Sequence, residues 1–334
     1  MSTRLVQLEK GPLRCVALVE EPHLRALPEV LSVYALAKLA ISTGAPLTGL
    51  VRRHAIGGLL NYDAVYEGKS DWHLIAPVDH PGEPARCLVS GTGLTHLGSA
   101  KSRQAMHGAS EAEETDSMRM FRQGVEGGRP EPGKIGVAPE WFYKGAGNIL
   151  RGPGEPLLVP AYAEDGGEEA EMAGIYIIGD DGHPYRIGMA PGNEFSDHKF
   201  EKRNYLNLAG SKLRTCSIGP EITIDEPFQS VPGAVAIERA GEVIWSKEIA
   251  TGEAEMCHSL ANLEHHHFKF EGHRRPGDVH VHYFGAVSLS FGDGLGLADG
   301  DVMVVEWTGF GRALRNPLRV APAETAPVTV QPLI

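Results

Sequence analysis

The sequence predicts a mostly β protein with flanking helices, an α+β chain with a small N-terminal domain and a larger one after it. Three observations carry this. With 41 glycines and 23 prolines in 334 residues, the chain must turn often. The apolar runs between the turns are short and rich in β-branched and aromatic residues, which is the signature of strands. Only three segments have helical periodicity, and a hydrophobic content of 42% is enough for a substantial core.

In chain order, "RCVALVE" reads as the first strand. "LPEVLSVYALAKLAISTG" reads as a helix, with Pro28 in its first turn, Gly44 as its stop, and Val30, Tyr34 and Ile41 near one face. The turn-rich "APVDHPGEPARC", residues 76–87, separates a domain over 1–85 from one over 86–320. A second helix, "SEAEETDSMRMFRQGVEGG", opens with Ser110 and Glu113 at capping-box spacing. Strands follow in "EPLLVPAYAE" and "AGIYIIG", and then in "GAVAIER" and "GEVIWSKEI", which Arg239-Ala240-Gly241-Glu242 joins as a hairpin. The third helix is expected in "EAEMCHSLANLEHH", with Met256, Leu260 and Leu263 on one face. "DVHVHYFGAVSLSF" and "DVMVVEWTGFG" complete the strands, and residues 321–334 form an extended tail. No repeat of fixed period occurs.

Charge excludes several functions. A formal net charge of -12, with no basic run longer than "EGHRRPG", argues against nucleic acid as a partner. The N-terminus has no apolar signal core and no run of 18 apolar residues exists, so the expectation is a cytoplasmic protein without a membrane partner. Cys15, Cys87, Cys216 and Cys257 are widely spread without a C-x-x-C pair, as suits reduced structural thiols.

The stretch "GEEAEMAGIYIIG" raises the chemical question. On a strand, Glu169 and Glu171 point to one face with Cα atoms about 6–7 Å apart, and Glu168 points to the other. Two such carboxylates repel unless a cation lies between them, and a hard divalent ion suits oxygen ligands. A solvated acidic strand edge is the competing reading, and spacing alone favours it. Glu194, after Gly192-Asn193, supplies a possible third carboxylate, with Asp197 three residues further on.

Read in order, "PEWFYKGAGNILRGPGEPLLVP", E-x-E at Glu169 and Glu171, "GNEFSDH", Lys212 with its following Gly219-Pro220, "PGDV" and "GDVMVVEWTGFGRALRNP" resemble the fumarylacetoacetate hydrolase superfamily over about residues 85–320. The resemblance implies a rolled, mixed β-sheet catalytic domain, commonly a homodimer or a multiple of dimers. It also implies a Mg²⁺ cofactor, with Mn²⁺ as a substitute, held by Glu169, Glu171 and Glu194. Family members usually have Asp at the last position. Lys212 and Lys144 match site lysines. Asn193, Gly285 and Ala286 match substrate-binding positions, with Ala286 replacing the usual Thr, and Arg103 and Arg122 are further candidates for substrate contact.

A departure directs the choice of reaction. Hydrolytic members carry N-Y-x-x-H-x-x-E, whose His and Glu activate water. Here His96 stands for that His, but Ser99 occupies the place of the Glu and no Tyr precedes. The resemblance therefore points to the sugar-acid branch, with a small anionic 2-keto acid as partner and dehydration of a 2-keto-3-deoxypentonate to 2,5-dioxopentanoate in pentose catabolism as the reaction. His96 and Lys212, its pKa depressed, are the candidate bases, and Lys144 is the candidate acid. The alternatives are hydrolysis of a 2,4-diketo acid, a metal-free Schiff-base lyase, and a sugar-acid binding protein without turnover. The consecutive His265, His266 and His267 read as a solvated turn. His280 and His282 share a strand face, but no third metal ligand has suitable spacing.

Overall fold

The computed structural model describes residues 2–106, 116–323 and 326–333. At its centre runs the strand Ala170–Ile178, buried at all nine positions. It pairs antiparallel with Pro184–Asn193 on one side and Val279–Tyr283 on the other. These belong to a 13-stranded sheet running from Leu59–Asn61 to Glu140–Ala146, made mixed by the parallel pairing of Val279–Tyr283 with Cys87–Gly93. A second, five-stranded sheet is built on the hairpin Val231–Arg239 and Glu242–Thr251. The expected β-rich α+β architecture is what forms.

Period two along the central strand sets the core. Ala173, Ile175 and Ile177 pack with Val33 and Leu36 of the helix Val33–Thr43. Ala170 and Met172, on the other face, pack with Val305, Trp307 and Leu263. Burying each large aliphatic side chain contributes roughly 1.5–3 kcal/mol, so a one-residue slip would lose both clusters at once. The same register fixes which way Glu169 and Glu171 point. The N-terminal strands join this sheet where Arg4–Lys10 meets Ile222–Thr223.

Several elements depart from the expected boundaries. The first helix begins at Val33, not near Pro28, because Ser32 Oγ accepts from Ala35 N at 3.1 Å and caps it; Gly44, at φ 65°, ends it as expected. The third helix is Leu260–Phe268, because Ser259 Oγ accepts from Asn262 N at 3.2 Å and caps it there. The hairpin at Arg239-Ala240-Gly241-Glu242 forms as expected, with Ala240 and Gly241 both at positive φ. The second helix is described from Asp116 to Gly127; the capping pair Ser110 and Glu113 lies outside the described residues. Arg122 sits exposed on that helix, 3.8 Å from Glu126. All four cysteines are buried free thiols. Among the described residues no helix is long and apolar enough to cross a membrane, and none of the described residues of 321–333 is in a helix or strand.

The consecutive histidines are not a solvated turn. They end the Leu260–Phe268 helix, which buries His266 and His267. His267 Nε2 lies 2.9 Å from His280 Nδ1, and the His267 ring stacks on His282 at 4.3 Å. Helix docking thus brings a third imidazole to the pair that the strand displays, which spacing alone did not reveal. Burial, and then neighbouring histidines, push His280 and His282 down to about 3 and His267 well below its ordinary value. Neutral when folded, these rings take up protons on unfolding. Their contribution to stability is therefore full above the ordinary 6.5 and is lost as the pH falls toward 3. The Tm is expected to fall between about pH 7 and pH 5, with a shallower fall in His280→Gln and His282→Gln. Variants whose Tm falls as steeply as that of the parent protein would contradict this.

Candidate metal centre

A hairpin assembles the acidic group. Ala170 pairs with Asn193 and Glu171 with Gly192, and Glu194 N donates to Glu169 O at 3.0 Å, so Glu194 stands across from Glu169. Oxygens of Glu169, Glu171 and Glu194 all lie within 4.8 Å of one another. All three are buried, so the solvated-edge reading fails. Glu168 is outside this group: its two oxygens accept from Ser290 N and Ser290 Oγ at 2.7 Å.

Two buried lysines compensate the charge. Lys212 Nζ lies 2.6 Å from Glu169 Oε1, 2.5 Å from Glu194 Oε2 and 2.8 Å from Ser196 Oγ. Burial opposes its charge, but Glu169 and Glu194 outweigh burial and lift its pKa, contrary to the depression expected. Lys144 has the lowered pKa, because burial outweighs Glu194. Its Nζ donates to Phe195 O at 2.8 Å and Lys212 O at 2.9 Å, and lies 2.6 Å from Glu194 Oε1. Lys144 therefore braces the segments that carry Glu194 and Lys212. It holds Phe195, whose φ of 47° is strained for a side chain of that size.

The third carboxylate is Glu194 rather than Asp197. Asp197 caps the helix His198–Arg203 through Phe200 N at 2.9 Å and pairs with Arg214 at 3.0 Å. Glu194 Oε1 lies 2.6 Å from Lys144 Nζ, and a carboxylate oxygen so paired keeps a second lone pair for a cation. Burial, then Glu169 and Glu194, raise Glu171 well above the carboxylate range. Buried, mutually repelling hard oxygens with an unsatisfied lone pair are the donor set a Mg²⁺ or Mn²⁺ ion takes, so Glu169, Glu171 and Glu194 fit the implied cofactor.

Asn193, Gly285 and His96, also expected at the site, are engaged by the protein itself. Asn193 Oδ1 accepts from Glu169 N at 3.1 Å and its amide nitrogen meets Met303 Sδ, so Asn193 aligns the strand end. Gly285, at φ 103°, turns its N–H to Glu171 Oε2 at 2.7 Å. Ala286 lines the cavity at Lys212. His96 is buried with Nδ1 on Thr95 and Nε2 on Thr251, and burial pushes it down to about 4. Arg103 lies in the helix Leu97–Met106, and its side chain is outside the described residues.

Two residues of the cavity wall escaped sequence reasoning, His198 and Glu201. His198 Nε2 lies 3.1 Å from Glu169 Oε1. Burial lowers its pKa, but the bond to Glu169 outweighs this and raises it. A side chain on Gly167 would sit 2.3 Å from the His198 ring, so only glycine fits there. The available signal was the H-x-x-E spacing, which puts both residues on one face of a helical turn. Ser99 also lines this cavity. Roomier cavities of about 200 and 390 Å³ lie elsewhere and touch none of the three carboxylates.

No protein-family model matches the sequence, and no curated protein does. Solved structures match over nearly the whole chain. One is a 2-keto-3-deoxy-D-arabinonate dehydratase complexed with magnesium and 2,5-dioxopentanoate, with TM-score 0.69 and 18% identity over 95% of this chain and 99% of that one. Another is a 5-carboxymethyl-2-hydroxymuconate delta-isomerase from Mycobacterium smegmatis, with TM-score 0.57 and 18% identity over 95% and 100%. A third is a fumarylacetoacetate hydrolase from psychrophilic Exiguobacterium antarcticum, with TM-score 0.59 and 17% identity over 96% and 100%. The resemblance in fold expected from the motifs is borne out.

Proposed function

We propose that the protein is a divalent-cation-dependent hydro-lyase of the fumarylacetoacetate hydrolase superfamily that dehydrates a 2-keto-3-deoxypentonate to 2,5-dioxopentanoate. The observation that carries this reading is the buried convergence of Glu169, Glu171, Glu194 and Lys212, beside a cavity lined by Glu169, Lys212 and Ser99, the last standing where the hydrolytic motif has a glutamate. A structure of the same fold holding magnesium and 2,5-dioxopentanoate supports it.

A bound cation would draw charge onto the carboxylate and 2-oxo oxygens of the substrate and so acidify its C3 protons. Lys212 adds a fixed positive charge beside them. A proton leaves C3 and hydroxide leaves C4, together one water; a proton then moves from C5 to C3 to give the C4–C5 enol, and the enol's hydroxyl proton moves to C4, leaving the aldehyde at C5. Hydrolysis instead needs a base for water, and His96, with both nitrogens bonded and its pKa near 4, is a poor one at neutral pH. Schiff-base chemistry needs a neutral, mobile amine, whereas Lys212 is charged and held by three acceptors.

The test is direct. With Mg²⁺, 2-keto-3-deoxypentonate should yield an aldehyde that an aldehyde dehydrogenase oxidises, while acylpyruvates are cleaved at least about 100-fold more slowly. Efficient release of pyruvate from acylpyruvates, with no aldehyde from the sugar acid of either configuration, would establish the hydrolase instead.

A further inference from the structure

We propose that His198 and Ser196 set the metal selectivity of the acidic centre: with Lys212 they occupy one oxygen of Glu169 and one of Glu194, holding each carboxylate to single-oxygen coordination, which admits Mg²⁺ and disfavours Ca²⁺. This rests on the divalent-cation reading above and names the residues that choose the ion.

A carboxylate oxygen accepts through two lone pairs. Both on Glu169 Oε1 are taken, one by His198 Nε2 at 3.1 Å and one by Lys212 Nζ at 2.6 Å. Both on Glu194 Oε2 are taken as well, by Ser196 Oγ at 2.8 Å and by the same ammonium at 2.5 Å. Ser196 Oγ also accepts from Lys212 Nζ at 2.8 Å, so the hydroxyl proton is directed to Glu194. Glu169 is left with Oε2 for an ion, and Glu194 with Oε1, which Lys144 flanks at 2.6 Å. Both donors are held in place. The His198 ring is 2% exposed, lies 5.4 Å from the Phe291 ring and packs on Gly167, where a Cβ would fall 2.3 Å from Nδ1. Gly167 and Ser196 in turn exchange two backbone hydrogen bonds, each of 3.0 Å. One backbone pair thus fixes both donors.

Ca²⁺ takes about six to eight oxygens and grips carboxylates through one oxygen or both, whereas Mg²⁺ demands near-octahedral geometry and dehydrates reluctantly. An acidic cluster free to wrap its ion therefore favours calcium. Filling the second oxygens removes the ligands that calcium would add and leaves the one-oxygen set that magnesium accepts. Rejection of the competitor, rather than tighter binding of the favoured ion, supplies the selectivity.

Ion binding is read without turnover. Mn²⁺ bound to the protein, followed by electron paramagnetic resonance, would be displaced with Mg²⁺ or with Ca²⁺, and the ratio of the two affinities compared between variants. The parent protein should prefer Mg²⁺ by about 10-fold or more. His198→Leu, which loses the donor, should lower that ratio by about 10-fold, and Ser196→Ala should lower it by about 3-fold or more. His198→Gln, whose amide nitrogen can replace Nε2 as donor, should stay within about 3-fold of the parent. A parent protein that binds Ca²⁺ as tightly as Mg²⁺, or more tightly, overturns the proposal even if no variant folds. So does a His198→Leu protein that weakens both ions alike and keeps the parent ratio, the mark of a merely structural role. Absence of Mn²⁺ binding by the parent protein would instead defeat the divalent-cation reading and this proposal with it. Lack of aldehyde formation leaves the affinity ratios, and hence this test, intact.

Discussion

Glu169→Gln, Glu171→Gln and Glu194→Gln should each lower kcat by about 10³-fold, because each removes one of the converging charges that offset a divalent ion. Mn²⁺ affinity, followed by electron paramagnetic resonance, should fall by at least about 100-fold in parallel. Glu168→Gln is the comparison. Its amide can still accept from Ser290 N and donate to Ser290 Oγ, and it is not one of the converging carboxylates. Metal affinity and activity should stay within about threefold of the parent. Equal losses in all four variants would mean that the acidic stretch acts through folding rather than through a cation.

Lys212→Met should cost about 10²–10³-fold in kcat while Mn²⁺ still binds, since the charge removed lies next to the carboxylates without belonging to them. Arginine should not rescue it. The ammonium sits 2.5–2.8 Å from three acceptors at a fully buried position, and a planar guanidinium cannot reproduce that arrangement. Borohydride added with pyruvate should leave no adduct on Lys212 or Lys144, because both amines are spent on protein acceptors. A reduced adduct on either lysine, with activity indifferent to chelator, would establish imine chemistry.

Local pattern carried much of this structure. E-x-E on an apolar strand followed by a hairpin suffices to place Glu169, Glu171 and Glu194 together, because strand period and antiparallel register are local rules. The motif order carried the fold. What pattern did not carry depends on tertiary docking. Asn193 and Gly285 were expected at substrate, yet their hydrogen bonds go to Glu169 and Glu171. Lys212 was expected with a depressed pKa from burial, but the carboxylates around it outweigh burial. His198 and Glu201 reach the cavity only because Asp197 caps a six-residue helix, too short for its periodicity to be read. The histidine cluster likewise joins residues from a helix and a strand whose packing no spacing encodes.

Glu169, Glu171 and Glu194 are proposed to hold a divalent ion on which a 2-keto acid is anchored. Crystals soaked with Mn²⁺ and pyruvate, with data collected to record anomalous scattering, test it most directly. An anomalous peak bounded by these three carboxylates is expected, with pyruvate's carboxylate and 2-oxo oxygens against it and Asp197 still bound to Arg214. No peak there at saturating Mn²⁺, a metal held by Asp197, or pyruvate joined covalently to Lys212 would contradict it.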